Sequence, residues 1–279
     1  EGRGRLTPQE VEAMHAEAER HNVMIMPTYS LMGHQENLLS HDKYAHLGRQ
    51  VFQPMSSFDV GSPAVREFLH EVIADVCDLF PAPYFHAGFD EAIGIDGQEF
   101  IDHANWCARE LATHGKRMVM WVDMFYKHFG IERLNELDDS VIPVNWSYGP
   151  GTDEGNGHVV HHDELCAQGR PVWGLAGYNS WCKFLPDCRP GRANIDTWVR
   201  TGLETNTPAL LASQWGDNGY ENHRDFPWNM FAYLAEGAWS GEAARPSDFE
   251  ARFQKGFYGA ELPMLREILY DLPEQLSSS

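Results

Sequence analysis

The chain has 279 residues, and its 43% hydrophobic and 12% aromatic content is typical of a globular core, which excludes a disordered chain. Its 41 acidic and 21 basic residues give a formal net charge of −20. Nucleic acid and anionic membranes both bind basic surfaces, so this charge argues against either of them as a partner. No apolar run approaches the roughly 20 residues that a membrane span requires.

The start of the sequence and its cysteines bear on the cellular compartment. The first residues, EGRGR, include no initiator Met and no signal-like apolar core, so we expect an upstream piece to have been lost or processed. The five cysteines are scattered and odd in number, which favours free thiols in a reducing compartment, the cytoplasm. The alternative is that Cys182 pairs with Cys188 in an oxidising compartment.

Helical patterns alternate with short apolar strands along the chain. The first predicted helix, 7–20, begins with Thr7 as its cap, Pro8 at the first helical position and Glu10 three residues after the cap. A strand is predicted at 23–27, and the next helix begins at Ser62. The remaining predicted strands are 84–88, 117–122, 141–146, 171–176 and 209–214, and the remaining helices are 100–114, 161–168, 195–201, 227–239, 249–258 and 263–272.

This alternation predicts an α/β fold with a parallel sheet covered by helices. Polar and aromatic residues gather where the strands end, as they do at the active-site face of a (β/α)8 TIM barrel. Because only six strands are predicted, we expect a single catalytic barrel domain, 1–279, that lacks its first two strands and carries extra C-terminal helices within 246–276. An open doubly wound sheet is the alternative. The absence of a Gly-rich phosphate loop after any strand disfavours it and indicates no nucleotide cofactor.

Two adjacent acidic residues, Asp90 and Glu91, follow the predicted strand 84–88. Cleavage of a glycosidic bond requires an acid that protonates the leaving oxygen and an anionic group near the anomeric carbon. A turn can aim both side chains into a barrel mouth, where like charge raises the proton affinity of one of them. The alternative is a helix cap followed by an acidic first turn, and the spacing alone leaves both interpretations open.

Three stretches of the sequence carry a family resemblance. Segment 83–91 reads PYFHAGFDE and resembles the His-x-Gly-Gly-Asp-Glu signature of glycoside hydrolase family 20, the β-N-acetylhexosaminidases. Met26-Pro27, followed by Met32-Gly33-His34, resembles the third-strand segment of that family, which ends in Pro-Gly-His. The stretch 6–47 looks closest to the hexosaminidase D branch, and the resemblance extends over 6–239.

The resemblance implies an exo-β-N-acetylhexosaminidase with a retaining, substrate-assisted mechanism. The substrate's own acetamido oxygen attacks the anomeric carbon, so no carboxylate nucleophile is needed. Glu91 is then the general acid and later the base that activates water, while Asp90 orients the acetamido group. The implied partner is a glycan or glycoside that contains N-acetylhexosamine, and no cofactor or metal is implied.

The sequence departs from the family pattern at several positions. The second Gly of the signature is Phe89, which predicts a narrower space beside the carboxylates. Ser30 occupies a position where many members carry Asp, and the Trp-x-Glu of the last strand is Trp215-Gly216-Asp217. The family's first strand, which usually carries an Arg that binds sugar hydroxyls, has no counterpart among the predicted strands.

Further residues at strand ends are candidates for binding the sugar. They are His34, Glu36, His86, Trp121, Asp123, Trp146, Tyr148, Trp215 and Asp217. The histidines and acids can bond sugar hydroxyls, aromatic faces suit the apolar side of a pyranose, and Tyr148 (with Tyr178 as its rival) suits the acetamido oxygen. The alternatives are histidines buried against backbone, tryptophans in the core and solvated loop acids.

One group of residues looks metal-like, but it is consecutive in sequence. His158, His161, His162, Asp163 and Glu164 fall on a loop and a helix start rather than converging from separate elements, so we predict a surface cluster and no metal site.

Two other functions remain open from the sequence. One is a sugar-binding barrel without catalysis, which the missing strands, Ser30 and Phe89 motivate. The other is a barrel glycosidase that pairs Glu91 with a carboxylate nucleophile such as Asp123 or Asp217.

Overall fold

The computed structural model describes residues 6–49, 56–149, 159–178, 181, 183, 188–216, 227–241 and 249–272. Three residues named in the sequence predictions, His158, Cys182 and Asp217, lie outside these described residues. The chain forms two compact units, Glu1–Pro143 and Val144–Ser279. That the whole chain is one catalytic domain stays a prediction.

The first unit alternates helices with two strands. In chain order its regular elements are α1 (Pro8–Arg20), α2 (Glu36–Leu39), a 3-10 turn (Ala45–Leu47), α3 (Pro63–Leu79), β1 (Tyr84–His86), α4 (Gly97–Thr113), β2 (Arg117–Trp121), a π-helical turn (Phe125–Phe129) and a 3-10 turn (Ile131–Glu136). The predicted start of α1 is confirmed. Thr7 accepts from the Glu10 N–H, and the Glu10 carboxylate accepts from the Thr7 N–H.

The strand predicted at 23–27 is misplaced. The first residue of this stretch, Val23, is exposed and donates its N–H back to the Ala18 carbonyl of α1. Among the described bonds, pairing with β1 begins at Pro27, whose carbonyl accepts from the His86 N–H at 3.0 Å. The chain then runs parallel to β1, with the Tyr29 N–H donating to the His86 carbonyl and the Leu31 N–H to the Ala87 carbonyl. The short apolar run marked an extended segment, but it did not reveal which part of that segment pairs.

The core of the first unit lies between its strands and the helices that follow them. β1 pairs with β2 in parallel, with Phe85 opposite Met118. Helix α3 buries Val65, Leu69 and Ile73, which recur at the three- to four-residue spacing of one helical face. This packing fixes the position of the β1 carboxyl end, where Asp90 and Glu91 follow.

The second unit repeats the alternation. Its elements are β3 (Ile142–Ser147, which begins two residues before the unit does), α5 (Val160–Cys166), β4 (Trp173–Gly177), α6 (Cys188–Thr205), β5 (Leu210–Ser213), α7 (Trp228–Ser240), α8 (Phe249–Tyr258), α9 (Pro263–Arg266) and a π-helical turn (Glu267–Asp271). β4 lies between β3 and β5, parallel to both. Trp198 of α6 is fully buried among apolar side chains and donates its indole N–H to the Ser147 carbonyl at 3.1 Å.

The alternation and the parallel pairing confirm the predicted α/β class. The strand predictions after residue 80 agree with the structure to within two residues at each end, whereas α6 is longer than the predicted 195–201. The described residues contain five regular strands in addition to the paired segment at 27–31. The expectation that two strands precede them stays a prediction. Within the described ranges, no helix has the length and apolar character needed to cross a membrane.

The prediction of a surface cluster around α5 is wrong for His162. The side chain of His162 is buried, lies edge-on to Trp198 and contacts Thr207 Oγ1 through Nε2 at 2.7 Å. This burial lowers the pKa of His162 to about 4, so the ring is neutral. The sequence did not show that this position of the short helix faces inward.

Gly174 in β4 offers a stability test of the second core. A Cβ at this position would lie 2.5 Å from the Trp198 ring, so Gly174→Ala must displace a fully buried indole. We expect the free energy of unfolding to fall by about 1–3 kcal/mol, the range for overpacked cores. Chemical denaturation monitored by circular dichroism measures this change.

The matched control is Gly256→Ala in α8, where a Cβ meets no atom within 4 Å. Because alanine favours the helix, this variant should be as stable as the parent protein or up to ~1 kcal/mol more stable. Equal effects of the two substitutions would contradict the packing argument.

Candidate active site

The turn that follows β1 has an unusual backbone. Gly88, Phe89 and Glu91 all have positive φ, at 75°, 80° and 49°. Residues other than glycine adopt this left-handed backbone region at a cost of about 1–2 kcal/mol each. A Cβ on Gly88 would also lie 2.8 Å from Ser30 Oγ, so this position requires glycine for two reasons. The turn is therefore a strained feature that the surrounding structure holds in place.

Backbone hydrogen bonds fix this turn from both sides. The Leu31 N–H donates to the Ala87 carbonyl at 2.8 Å, and the Trp121 N–H donates to the Gly88 carbonyl at 2.9 Å. The two donors belong to the neighbouring chain segments on either side of β1. The position of Asp90 and Glu91 thus depends on the parallel pairing itself.

Phe89 contributes to the core of the first unit. Its ring lies edge-on to Phe100, with centroids 5.3 Å apart, and also packs against His103; both partners belong to α4. The sequence predicted that this side chain narrows the space beside the carboxylates. Instead, the fully buried ring lies against α4, and its packing offsets the cost of its own positive φ.

His34 brings Asp90 and Glu91 together. Its Nε2 atom lies 3.2 Å from Asp90 Oδ2 and 3.7 Å from Glu91 Oε2, and all three side chains are between 21% and 32% exposed. Both carboxylates therefore face one imidazole in a half-buried site. The helix-cap interpretation is wrong, because α4 begins at Gly97 and its cap is Asp96, which accepts from the Gln98 and Glu99 N–H groups.

The charges of this cluster shift its proton affinities in a consistent direction. Contact with the Asp90 carboxylate raises the pKa of His34 to about 9, against the opposing effect of burial. Burial raises the pKa of Glu91, Lys127 opposes the rise, and the Asp90 and Asp123 carboxylates add to it. The imidazole is thus a cation at neutral pH, and Glu91 holds its proton more tightly than an exposed glutamate does.

Asp123 lies behind Glu91 rather than at the surface. Its side chain is 0% exposed, and Oδ2 accepts from the Glu91 N–H at 3.2 Å and from Lys127 Nζ at 3.1 Å. Oδ1 is buried and has no hydrogen-bond partner among the described residues. The sequence suggested a contact between Asp123 and a sugar hydroxyl. The partners of Asp123 in the structure are instead the Glu91 amide and Lys127.

His86 and Trp121 face each other, with ring centroids 4.2 Å apart. His86 is 4% exposed, its Nδ1 accepts the Gly88 N–H, and burial lowers its pKa to about 4. Trp121 is 7% exposed at the end of β2. These positions match the buried alternative that the sequence left open for both residues, and binding of sugar by either stays a prediction.

Glu36 is the first residue of α2, and its charge acts on His34. Its negative charge contributes to the raised pKa of that histidine. The Glu36 Oε2 atom is buried and has no hydrogen-bond partner in the part of the chain that the structure describes. An acceptor in this state suits a ligand hydroxyl, which agrees with the sequence prediction without testing it.

An aromatic cluster follows the strands of the second unit. Trp146 stacks on Tyr148 with centroids 5.0 Å apart, and the Trp215 indole N–H donates to the Tyr148 hydroxyl at 2.8 Å. Trp181, which the sequence analysis did not select, lies edge-on to Tyr148 at 4.7 Å. Trp215 is 36% exposed, so this cluster offers an aromatic face to a ligand. Tyr178, the rival of Tyr148, is buried in the core.

Among the residues that the structure describes, one group of side chains could hold a metal ion. Ligand atoms of His34, Asp90 and Glu91 all lie within 4.8 Å of one another. Because its raised pKa keeps the His34 ring protonated at neutral pH, a metal would have to displace that proton before it could bind the nitrogen. The donor set therefore fits an ion pair better than a metal site under these conditions.

The raised pKa of His34 predicts a dependence of stability on pH. A histidine whose pKa rises from about 6.5 when unfolded to about 9 when folded stabilises the protein fully below pH 6.5, and this contribution is lost as pH rises through 9. We expect the unfolding free energy of the parent protein to fall more steeply between these pH values than that of His34→Asn. Asn suits the positive φ of 56° at this position.

Urea denaturation at pH 6.5, 7.5 and 9 measures the two slopes. His41→Asn, which removes an exposed imidazole, is the control and should keep the steep slope of the parent. Parallel curves for the parent and His34→Asn would show that the ion pair does not form.

Comparison with known proteins gives a family match and a fold likeness. Residues 1–110 match the model of the glycosyl hydrolase family 20 catalytic domain, a range that includes His34, Asp90 and Glu91. A β-N-acetylhexosaminidase of Cellulomonas fimi is 31% identical over 62 residues, which cover 22% of this chain and 12% of that protein.

Two solved structures are similar over 95% of the chain. The β-N-acetylhexosaminidase of Bacteroides fragilis NCTC 9343 is 20% identical with a TM-score of 0.63, and 55% of that chain is covered. The family 20 exo-β-N-acetylglucosaminidase of Vibrio harveyi, in complex with N-acetylglucosamine, is 18% identical with a TM-score of 0.65, and 46% is covered. The chain thus spans about half the length of these structures. With the parallel strands and their helices, this likeness fits an α/β TIM-barrel-like fold.

Proposed function

We propose that this chain carries the acid/base machinery of an exo-β-N-acetylhexosaminidase, a glycoside hydrolase that removes terminal N-acetylhexosamine by a retaining, substrate-assisted mechanism. The observation that carries the proposal is the placement of Asp90 and Glu91 side by side around His34 at the end of β1. The family match at 1–110 and the hexosaminidase relatives support it. The order of motifs in 6–47 supports the finer proposal of the hexosaminidase D branch.

Glu91 is the general acid in this proposal. Burial raises the pKa of its half-buried carboxyl, and an acid that holds its proton more tightly is better suited to protonate the leaving oxygen. After the aglycone departs, the same carboxylate accepts a proton from the water that opens the cyclised intermediate. The proton thus returns to Glu91, and the enzyme is restored.

Asp90 orients the acetamido group of the substrate. Its carboxylate is the closer of the two to His34, at 3.2 Å compared with 3.7 Å. Accepting the acetamido N–H increases the electron density on the acetamido oxygen, which is the nucleophile. This division of labour explains how two adjacent carboxylates suffice, because neither has to reach the anomeric carbon.

In the second unit, we propose that Trp146, Tyr148 and Trp215 bind a sugar through its apolar face and its N-acetyl group. The Trp215 indole N–H donates to the Tyr148 oxygen, so the two side chains hold each other in place. We assign the acetamido oxygen of a sugar to the Tyr148 hydroxyl as its ligand. Asp217, the remaining sugar-binding candidate, lies outside the described residues and stays a prediction.

The geometry disfavours the alternative of a carboxylate nucleophile at Asp123. That carboxylate is fully buried and bound by the Glu91 amide and Lys127, so it is not presented to a substrate. The non-catalytic alternative relied partly on Phe89 narrowing the site, and the ring packs on α4 instead. The raised pKa of Glu91, beside Asp90, favours catalysis over sugar binding alone.

Replacement of the proposed acid tests the function. In the full-length protein, Glu91→Gln should lower kcat/KM for an aryl N-acetyl-β-glucosaminide or galactosaminide by about 10²–10⁴-fold, the usual contribution of general acid–base catalysis. The loss should be larger for a disaccharide, whose poor leaving group depends more on protonation. Glu67→Gln, on an exposed face of α3, removes a carboxyl of the same kind and should be fully active.

Two further measurements separate the mechanisms. A thiazoline that mimics the cyclised intermediate should inhibit the enzyme, and a glycoside without the 2-acetamido group should be cleaved poorly. Full activity of Glu91→Gln would refute the proposed acid. Efficient cleavage of the substrate without the acetamido group would instead show a carboxylate nucleophile, and binding without turnover would show a sugar-binding protein.

A further inference from the structure

The buried Asp123 carboxylate joins two features of the first unit. It follows β2 by two residues, and a single oxygen, Oδ2, accepts from both the Glu91 N–H and Lys127 Nζ. One oxygen with two donors is a fixed junction, because movement of either donor disturbs the other. The junction connects the backbone of Glu91 to a positive charge on a different segment of the chain.

The Glu91 backbone is constrained, and its hydrogen bond to Asp123 is part of that constraint. Its φ of 49° lies in the left-handed region, which a glutamate adopts only under constraint. Its carbonyl accepts from the Ile93 N–H at 2.8 Å, so the residue is held on its C-terminal side as well. The Asp123 bond fixes the amide side, and the two bonds together set the direction of the Glu91 side chain.

Lys127 reaches Asp123 from a π-helical turn, Phe125–Phe129. The first and last rings of that turn both pack on Phe100 of α4, with centroids 5.8 and 5.1 Å away. Turns of this kind are rare and are frequently found at functional sites, because the wider turn changes the direction of its side chains. The lysine is therefore placed by the core, although its side chain is 28% exposed.

A helix-surface ion pair is the simplest alternative explanation. Residues four apart on a helical turn often pair, and such pairs contribute little. The carboxylate here differs, because it is 0% exposed and also accepts a backbone N–H from a turn 32 residues earlier in the chain. A buried carboxylate is costly without compensation, so its retention at this junction calls for a role beyond the local turn.

We propose that Asp123 and Lys127 act as a pair of positioning residues that hold Glu91 in its left-handed conformation and keep its carboxyl facing His34 and Asp90. The inference rests on the proposed function, because it assigns the pair to the acid of that reaction. Neither residue touches the substrate. Asp123 acts through the Glu91 amide, and Lys127 acts by binding the Asp123 carboxylate and holding it in place.

Four charged or titratable groups influence Glu91 from the segments around it: Asp90, Asp123, Lys127 and His34. Of these, Lys127 opposes proton binding by Glu91, whereas the Asp123 carboxylate favours it. Removal of Lys127 should therefore raise the pKa of Glu91, and neutralisation of Asp123 should lower it. The two replacements should thus shift the titration of Glu91 in opposite directions, which reports that both charges lie close enough to act on the acid.

Kinetics of four variants of the full-length protein provide the first test. Asp123→Asn and Lys127→Met should each lower kcat by about 10-fold or more with little change in KM, because an interaction that positions the acid affects the chemical step. Lys127→Arg should recover most of the activity. The double variant should lose less than the product of the two single losses, as expected for residues that act as a unit.

The matched controls remove the same groups from exposed helix positions, with Asp75→Asn in α3 and Lys255→Met in α8. Both should retain the kcat and KM of the parent. Thermal denaturation of every variant separates lost fold from lost positioning. If Asp123→Asn fails to fold, the comparison of Lys127→Met with Lys127→Arg still tests the positioning role. The Lys127 side chain is partly exposed, so its replacement should leave the fold intact.

A second readout does not depend on activity. Carbon-13 NMR of glutamate carboxyls, with Glu91→Gln used to assign the signal, gives the pKa of Glu91 in each variant. We expect a higher value in Lys127→Met than in Lys127→Arg, and a lower value in Asp123→Asn than in the parent. The Glu91 amide should also exchange with solvent faster in Asp123→Ala than in the parent.

The two readouts distinguish failure of this inference from failure of the proposed function. Unchanged titration and amide exchange of Glu91 in all variants would overturn the inference, whatever the activity of the protein. A parent protein that cleaves no N-acetylhexosaminide would overturn the proposed function, and the NMR titration would still test the positioning pair. A folded double variant whose loss of kcat equals the product of the two single losses would also contradict a joint role of Asp123 and Lys127.

Discussion

The contact of His34 with two neighbouring carboxylates is the interaction on which the site depends. Asp90 and Glu91 are adjacent in sequence, so their like charges repel wherever both side chains face the same way. Nε2 of the histidine lies within 3.7 Å of both, and its raised pKa means that it carries the compensating charge. The strained turn after β1 aims the carboxylates, and the imidazole makes that arrangement tolerable.

The cost of this turn is offset by ordinary packing and pairing. Phe89 and Glu91 each occupy the left-handed region, at a cost of about 1–2 kcal/mol per residue. In return, the Phe89 ring is fully buried against α4, and a fully buried phenylalanine contributes about 1.5–3 kcal/mol. The parallel pairing adds the bonds of Leu31 and Trp121 on either side. A site of this kind is stable because the fold around it is over-determined.

Periodicity and capping patterns were sufficient to predict most of the elements and the strand end that carries Asp90 and Glu91. They were sufficient because those signals are local: the capping box at Thr7, the apolar face of α3, and the polar residues that follow β1. The inward position of His162, the direction of the Phe89 ring and the role of Lys127 were not predicted. Each depends on which neighbour from a distant segment packs there, and the π-helical turn that carries Lys127 has no recognisable periodicity. The four-residue spacing from Asp123 to Lys127 was the one available signal.

The environments of the two carboxylates push them toward different roles. Asp90 is the nearer partner of the His34 imidazole, whereas burial raises the pKa of Glu91. A carboxyl whose pKa is raised in this way is suited to carry a proton. The deciding factor is position along the turn: Asp90 lies closer to the imidazole, and the next residue, Glu91, has its amide bound by Asp123. In the proposed mechanism, these different surroundings suit Asp90 to orient the acetamido group and Glu91 to donate the proton.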